Sequence, residues 1–509
     1  MQRLKLFIRT IPPWILAISL MAVYLTSMAP GLSWANYGAD GGDLITAAAT
    51  GGVAHPTGYP LYLLLARLFQ LVPIGSLAFR TNLMSAFAAG SAAVLVYGLV
   101  TRSLSPSNPR QYWLVGLASG FAFGLSPLVW SQAVITEVYA LHSLFVALLL
   151  YLSVNYFSLQ FTQKRIDCLL GLTFGLAMGN HITTIILLPV IFSGTLLRKP
   201  TLTQGNCWRK NWQVDSRSLL RRLTWLGVGL LVYLTLPLRA LSQPPVNWGN
   251  PVTLDGFAWL VSGKLYQNQL FVLTLPSVLE RVRVIVALFL EQFGIPGLSI
   301  GLIGLIVFFK PTHLVRSTLW IVAASSAFAI VYATTDAFMY MVPAFLCFAI
   351  WIGMGLGGLM DASSRRFHII GPLIGLVLLL TLFIQAGNHW PQVDASQDQR
   401  AELFGEDVLA LAPAHAIVFA KGDRAVFTLW YFQFALQNRP DLAILATDLL
   451  QFDWYEQTLH SNYPDLNLPG PFPFPETVVV ANSERPVCYV QYIQSAEISC
   501  FPARDPQLP

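Results

Sequence analysis

The chain has 509 residues, of which 55% are hydrophobic and 11% are charged, and its formal net charge is +5. This composition is too apolar and too poor in charge for a soluble globular protein. Apolar runs of about 20 residues, long enough to cross a bilayer, recur along the chain and predict a polytopic α-helical protein surrounded by membrane lipids. No pattern in the sequence indicates nucleic-acid binding.

Eleven apolar runs fit a topology in which every basic loop lies in the cytoplasm. The first run follows Arg3, Lys5 and Arg9 and lacks a convincing small-residue cleavage site, so we expect a retained anchor. Because the count is odd, the N-terminus is expected in the cytoplasm and the C-terminus outside, most naturally across the plasma membrane. The predicted spans are 11–28, 80–101, 111–127, 134–157, 167–179, 182–197, 222–240, 294–310, 317–334, 338–359 and 367–386.

Two further apolar segments are predicted to lie at the membrane surface. Tyr59–Val72 follows His55-Pro56 and carries Arg67, which favours a juxtamembrane helix. Val278–Phe293 contains four charged residues, which favours an amphipathic interfacial helix. The transmembrane domain is then expected over 1–387, with large outer loops at 29–79 and 241–293.

The most informative residues are Asp40 and Asp43, in a Gly-rich segment directly after the first apolar run. Removing an isolated carboxylate from water is costly, so acidic residues at the mouth of a membrane domain are candidates for function. They could instead be turn residues, and Asp43 in particular could cap the helix predicted to follow. The candidate polar chemistry lies mainly on the predicted outer face.

After residue 387 the composition changes, because 388–509 contains fifteen Asp or Glu and six Lys or Arg, a net charge of −9. Alternating apolar strands and helical stretches predict a soluble extracytoplasmic α/β domain here. Cys488 and Cys500 both lie in it, and a disulfide between them is expected in an oxidising compartment. The predicted strands are 416–420, 442–446, 477–480 and 488–492, and the predicted helices are 424–437 and 449–460.

Residues 38–45 (GADGGDLI) followed by 52–62 (GVAHPTGYPLY) resemble the signature of the domain-of-unknown-function family 2723. Members of that family are similar to protein O-mannosyltransferases of the glycosyltransferase C superfamily. This chain has Asp43 where the family has Glu, and Thr57 where it has a second Pro. Weaker matches follow at 79–83, 137–141, 179–181, 236–239, 247–251, 336–343, 422–423, 429–431 and 439–441.

The resemblance implies a glycosyltransferase C-like fold and transfer of a sugar, mannose among the candidates, from a polyprenyl-phosphate donor to an extracytoplasmic protein, lipid or glycan. It makes Asp40 the general base and Asp43 its catalytic neighbour. A leaving phosphate requires cations opposite the base, and Arg239 is the strongest candidate because arginine binds phosphate through two nitrogens. The other predicted substrate-binding residues are His55, Tyr59, Arg80, Glu137, His181 and Lys264.

Each assignment has a structural alternative. Arg239 could extend from its span to the interface, and Glu137 and His181 could be polar packing between helices. No cofactor is certain; Asp40 and Asp43 could share a divalent ion, but no third ligand is evident in the sequence.

Two other functions stay open. In a transporter or flippase of lipid-linked sugars, broken helices would carry charges or headgroups, and Gly179-Asn180-His181 is the one feature that favours it. A weaker alternative is an inactive scaffold whose outer domain binds glycans.

Overall fold

The computed structural model describes residues 2–104, 112–156, 162–202, 208–307, 311–364, 369–470 and 474–503. A bundle of long apolar helices precedes a small four-stranded sheet, and the chain is an integral membrane protein. The first helices are α1 (Gln2–Ser27), α2 (Gly41–Thr50), α3 (Pro60–Gln70), α4 (Leu77–Ser103), α5 (Tyr112–Gly124), α6 (Pro127–Ala133), α7 (Val138–Asn155), α8 (Gln163–Met178) and α9 (Leu188–Phe192).

An antiparallel hairpin of β1 (Leu196–Leu202) and β2 (Trp208–Val214) separates these helices from the second half of the bundle. Short 3-10 turns link several of the helices that follow. Those helices are α10 (Ser216–Leu230), α11 (Thr235–Ala240), α12 (Leu254–Val261), α13 (Leu275–Ile306), α14 (His313–Val331), α15 (Val342–Ser364) and α16 (Ile370–Val393).

Seven helices in the described part of the chain are long and apolar enough to span a membrane, or eight if α5 and α6, bent by 69° at their junction, form one span. The predicted count of eleven is therefore not confirmed. Part of the difference comes from helices that are too short: α8, at the predicted span 167–179, has 16 residues, and 182–197 is a series of short helices. A helix is present at the predicted juxtamembrane segment 59–72, as α3.

The helix predicted at Val278–Phe293 is present as the first part of α13. It ends at Gly294, whose φ of 62° and ψ of 176° are not helical, and a second helical part follows this break. The four charged residues of the predicted segment all lie before the break.

Glycines set the closest helix contacts in the bundle. A side chain on Gly175 would overlap the backbone of α10, and one on Gly355 would overlap the backbone of α13. In a membrane, where lipid competes for apolar surface, such close backbone approach replaces the hydrophobic effect as a source of helix association. The pairs α8–α10 and α13–α15 are accordingly among the most extensive contacts in the fold.

The C-terminal region contains a four-stranded sheet and several helices. The strand order is β4-β3-β5-β6, with β3 parallel to β4 and β5, and β6 antiparallel to β5. Its elements are α17 (Arg400–Leu411), β3 (Ile417–Lys421), α18 (Asp423–Trp430), β4 (Ala443–Ala446), α19 (Asp453–Asn462), α20 (Pro475–Ala481), β5 (Val487–Tyr492) and β6 (Ala496–Phe501).

One predicted strand in this region is wrong, and one strand of the sheet was not predicted. The strand predicted at 477–480 is wrong, because these residues belong to α20, which starts at Pro475; proline is favoured in the first turn of a helix. The strand β6 was missed, and it carries the partner for the predicted disulfide. Cys488 and Cys500 face each other across β5 and β6 and are bonded, with their Cα atoms 4.1 Å apart, which confirms that prediction.

Candidate functional site

Asp40 and Asp43 lie at the start of α2, which is short because Gly51 ends it in the left-handed conformation with φ of 71°. The chain then turns back, so that His55 comes to lie beside both carboxylates. Neither aspartate caps the helix: the Asp40 side chain makes no capping hydrogen bond, and Asp43 lies within the first turn. The capping alternative is therefore wrong for both residues.

Asp43 is fully buried, and protein groups occupy both of its oxygens. Oδ2 accepts hydrogen bonds from the backbone N of His55 at 2.9 Å and from its Nδ1 at 2.7 Å. Oδ1 accepts a hydrogen bond from Nε1 of Trp248 at 3.1 Å. As the predicted neighbour of the base, Asp43 has both oxygens hydrogen-bonded to protein groups, and two of these bonds come from His55.

Asp40 has the opposite environment. Its Oδ2 lies 3.5 Å from Nε2 of His55. Solvent can reach 40% of the Asp40 side chain, which lies in a recess enclosed by other parts of the protein. Burial raises the pKa of Asp40 to about 6; His55 opposes the rise, whereas Asp423, Asp43 and Asp336 add to it. A carboxylate with a pKa near 6 is ionised at neutral pH and is a stronger base than an ordinary aspartate.

His55 connects the two carboxylates and is itself only 5% exposed. Burial alone would lower its pKa, but the charge of Asp40 and the hydrogen bond and charge of Asp43 outweigh that effect and raise the pKa of His55 to about 9. The imidazole is therefore protonated at neutral pH, with Nδ1 donating to Asp43 and Nε2 directed towards Asp40.

Asp40, Asp43 and His55 form a triad, and three of the predicted substrate-binding residues lie around it. The Tyr59 ring is 5.0 Å from that of His55 and 6.3 Å from that of His181, so it connects them. His181 also packs against Tyr139 at 5.6 Å, and its Nδ1 contacts the hydroxyl of Thr183 at 2.7 Å. Glu137 precedes α7, is buried, and interacts electrostatically with Asp40 and His55.

The predicted phosphate-binding cations have different environments. Three nitrogens of Arg80 donate to the carbonyl groups of Ile74, Gln70 and Gly75, so Arg80 stabilises the turn between α3 and α4. This arrangement does not favour a role in phosphate binding.

Only one nitrogen of Arg239 is used in these hydrogen bonds: Nη1 donates to the carbonyls of Ala47 at 3.3 Å and Gly52 at 3.0 Å, at the end of α2. It also interacts electrostatically with Arg67 of α3. Lys264 is exposed and follows Gly263, which lies beside Thr57 of the His55 loop. Both cations therefore lie on segments adjoining the site.

Sequence reasoning missed three residues that complete the site. Trp248 belongs to a motif noticed in the sequence, but the sequence did not reveal its hydrogen bond to Asp43, which links the segment after α11 to the start of α2. Phe427 and Asp423 come from α18 of the C-terminal region: the Phe427 ring lies 6.2 Å from that of His55, and Asp423 interacts electrostatically with His55. Only the presence of Gly422-Asp423 among the weak matches hinted at this contribution.

A divalent ion between Asp40 and Asp43 does not fit the donor set. Hydrogen bonds from His55 and Trp248 already engage the oxygens of Asp43. Within the ranges that the structure describes, no group of three or more His, Cys, Asp or Glu side chains is arranged to hold a metal ion.

Two regions of the chain match known families. Residues 40–204 match the family described as Protein O-mannosyl-transferase TMEM260 N-terminal domain, and residues 401–495 match TMEM260-associated domain 2. The chain is 28% identical over 461 residues to Protein O-mannosyl-transferase TMEM260 of Mus musculus, and 25% identical over 509 residues to the protein of that name from Dictyostelium discoideum. These alignments include 85% and 90% of this chain but only 62% and 59% of the relatives.

Among solved structures, ArnT from Cupriavidus metallidurans bound to undecaprenyl phosphate is similar, with a TM-score of 0.57 at 12% identity, over 94% of this chain and 92% of ArnT. Its apo state gives a TM-score of 0.53. The chain thus has the fold of ArnT. Together, the comparisons show a membrane protein with the fold of ArnT and with two regions similar to TMEM260 O-mannosyltransferases.

Proposed function

We propose that this protein is a membrane glycosyltransferase that moves a sugar from a polyprenyl-phosphate donor to a hydroxyl group of an extracytoplasmic acceptor, with Asp40 as the general base. The observation that carries the proposal is the difference in environment between the two aspartates. Asp43 is buried and engaged, whereas Asp40 faces open space beside a fixed, protonated His55.

The reaction requires one bond to form as another breaks. The acceptor oxygen attacks the anomeric carbon, its proton passes to the Asp40 carboxylate, and the bond to the donor phosphate breaks with its electrons on the phosphate. A base positioned in this way typically contributes about 10²–10⁴-fold in rate. His55 lies beside Oδ2 of Asp40 at 3.5 Å, and 40% of the Asp40 side chain is accessible to an acceptor.

The leaving phosphate needs a cation. Arg239 and Lys264 are the best candidates, since Arg80 already binds three backbone carbonyls. Arg239 has one nitrogen bound at the end of α2, and its remaining nitrogens can donate to phosphate. Tyr59 and the neighbouring aromatic rings supply flat apolar surfaces suited to a sugar ring.

The comparisons support the substrate classes proposed here. The relatives are named protein O-mannosyl-transferases, which suggests mannose as the sugar and a protein hydroxyl as the acceptor. The ArnT structure contains undecaprenyl phosphate, which suggests a polyprenyl-phosphate carrier. The transporter alternative gains no support, because the break at Gly179–His181 places His181 beside Tyr59 at the same site.

The test compares Asp40→Asn with Asp255→Asn, an exposed aspartate in the outer loop, in purified protein. With undecaprenyl-phosphate-linked mannose as donor and peptides rich in Ser and Thr as acceptors, Asp40→Asn should lower single-turnover transfer by about 10²-fold or more. Donor binding should persist in Asp40→Asn and weaken in Arg239→Ala, because the latter removes the cation. Transfer near the wild-type rate by Asp40→Asn would contradict the assignment of the base.

A further inference from the structure

The loop that carries Asp40 has a conformation that its own sequence does not favour. Asn36 and Tyr37 both lie in the left-handed region, with φ of 55° and 67°, three or four residues before Asp40. Residues with a Cβ avoid this region, and they persist there only where surrounding contacts hold them. The source of those contacts therefore determines where the base lies.

The contacts come from the segment that follows the last membrane helix. Oδ2 of Asp398 accepts three hydrogen bonds from the loop, from Ser33 Oγ at 2.7 Å, the backbone N of Trp34 at 2.9 Å and the backbone N of Ala35 at 2.7 Å. The other oxygen of Asp398 binds Nε of Arg400 at 2.5 Å. A charged acceptor with three donors on one oxygen fixes the backbone just before the strained pair.

Three further contacts hold the same loop, two to aromatic rings of the C-terminal region and one to the last residue of α16. The Trp34 ring is 3% exposed and lies 4.4 Å from the ring of Tyr492 and 5.5 Å from that of Phe404. The side-chain nitrogen of Asn36 donates to the carbonyl of Val393 at 2.8 Å. The contacts thus run from residue 33 to residue 36, immediately before the base.

The same region touches the other side of the triad. The Phe427 ring lies nearly parallel to that of His55, at 15° and 6.2 Å between centroids. Beneath it, α18 packs so closely on α2 that a side chain on Gly42 would overlap the Phe427 carbonyl group. The charged groups interacting with His55 are then Asp40, Asp43 and Glu137 from the membrane part and Asp423 from α18.

We propose that the C-terminal region is a positioning element of the active site: Asp398 and the pocket around Trp34 hold the loop that aims Asp40, and Phe427 covers His55. The inference rests on the proposed function, because it assigns these residues to placing the base. They do not touch the reacting atoms. A transferase whose C-terminal region served only acceptor recognition would not need bonds to the backbone of the catalytic loop.

The test uses two variants in the full chain that loosen the contact from opposite sides. Asp398→Asn removes the charged acceptor, and Gly42→Ala forces α18 away from α2. The controls are Asp407→Asn, an exposed residue on α17, and Gly387→Ala, where an added methyl group meets open space. Because a small misplacement of a catalytic group can cost about 10²-fold, both variants should lower kcat by about 10- to 100-fold with the donor KM unchanged.

Two readouts distinguish positioning from general destabilisation. The acidic limb of the pH–rate profile should move to lower pH in both variants, because a released Asp40 is better hydrated. Amide hydrogen exchange should increase within residues 33–40, with little change in the membrane helices. If Asp398→Asn does not fold, Ser33→Ala removes one of the three bonds and should show the same effects at smaller size.

The outcomes separate the two proposals. If the wild type transfers and Asp40→Asn does not, but Asp398→Asn and Gly42→Ala match their controls in kcat and exchange, the positioning role is refuted and the base assignment stands. If the wild type transfers no sugar, the proposed function fails, and exchange at residues 33–40 still decides whether Asp398 holds the loop. A rise in donor KM with unchanged kcat would also overturn the inference.

Discussion

The ion pair between His55 and Asp43 should contribute to both stability and activity. The substitution Asp43→Asn keeps the size of the side chain and removes the charge that His55 Nδ1 contacts at 2.7 Å. The pKa of His55 should then fall, because burial lowers it and only the charges of Asp40 and Glu137 remain to raise it. A smaller fraction of the imidazole would be protonated at neutral pH and above.

The magnitude follows from the pKa of His55, which is raised from 6.5 to about 9. One pKa unit corresponds to about 1.4 kcal/mol, so at pH 7 the raised pKa contributes about 3 kcal/mol to the stability of the fold, from Asp40, Asp43 and Glu137 together. Because the folded-state pKa is the higher one, this contribution is fully present below pH 6.5 and is lost as pH rises through 9. Asp43 supplies only part of it, so the wild type should be more stable than Asp43→Asn at pH 7 by less than about 3 kcal/mol, with the difference shrinking towards pH 10.

The assay has two parts. Denaturant unfolding in detergent at several pH values measures the difference in stability, and single-turnover transfer across pH 5–10 measures activity. In the wild type, kcat/KM should rise through about pH 6 as Asp40 ionises and fall through about pH 9 as His55 loses its proton. In Asp43→Asn the alkaline limb should move to lower pH. An unmoved alkaline limb, or a stability difference that grows with pH, would refute the ion-pair reasoning.

Other predictions address the cations and the disulfide. Arg80→Ala should lower the free energy of unfolding by about 1–3 kcal/mol, because three backbone acceptors lose a charged donor, and should leave donor affinity unchanged. Lys264→Ala should do the opposite and weaken donor binding in a titration without changing the unfolding midpoint. If both variants changed the same property, the assignment of a structural role to Arg80 and a donor-binding role to Lys264 would be contradicted. Replacing Cys488 and Cys500 by Ser should destabilise the C-terminal region by about 3 kcal/mol, given their separation of 12 residues, and a melting curve identical to the wild type's would count against it.

Local pattern was enough to predict several features. Hydrophobic runs indicated a membrane protein, because this depends on average composition over many residues. The change in charge after residue 387 predicted a separate soluble domain; strands and helices alternate in that region, and its independence as a domain stays a prediction. The Gly-rich segment with Asp40, Asp43 and His55 was recognised because glycines, carboxylates and His-Pro lie close together in the chain. The helix after Tyr59 was predicted for the same reason, since Pro60 starts it within the local sequence.

Tertiary structure decided the roles of those residues. The resemblance in the motifs pointed to Asp40 as the base, but the sequence could not show that Asp43 is hydrogen-bonded by Trp248, 205 residues away, and by His55, which a turn brings back onto it. Nor could it show that Arg80 is occupied by carbonyl groups of its own turn, or that Asp398 and Phe427 reach the segment 33–55 from more than 350 residues along the chain. Composition and periodicity report which groups are near in sequence, whereas burial and hydrogen-bond occupancy depend on contacts that form only when distant segments pack.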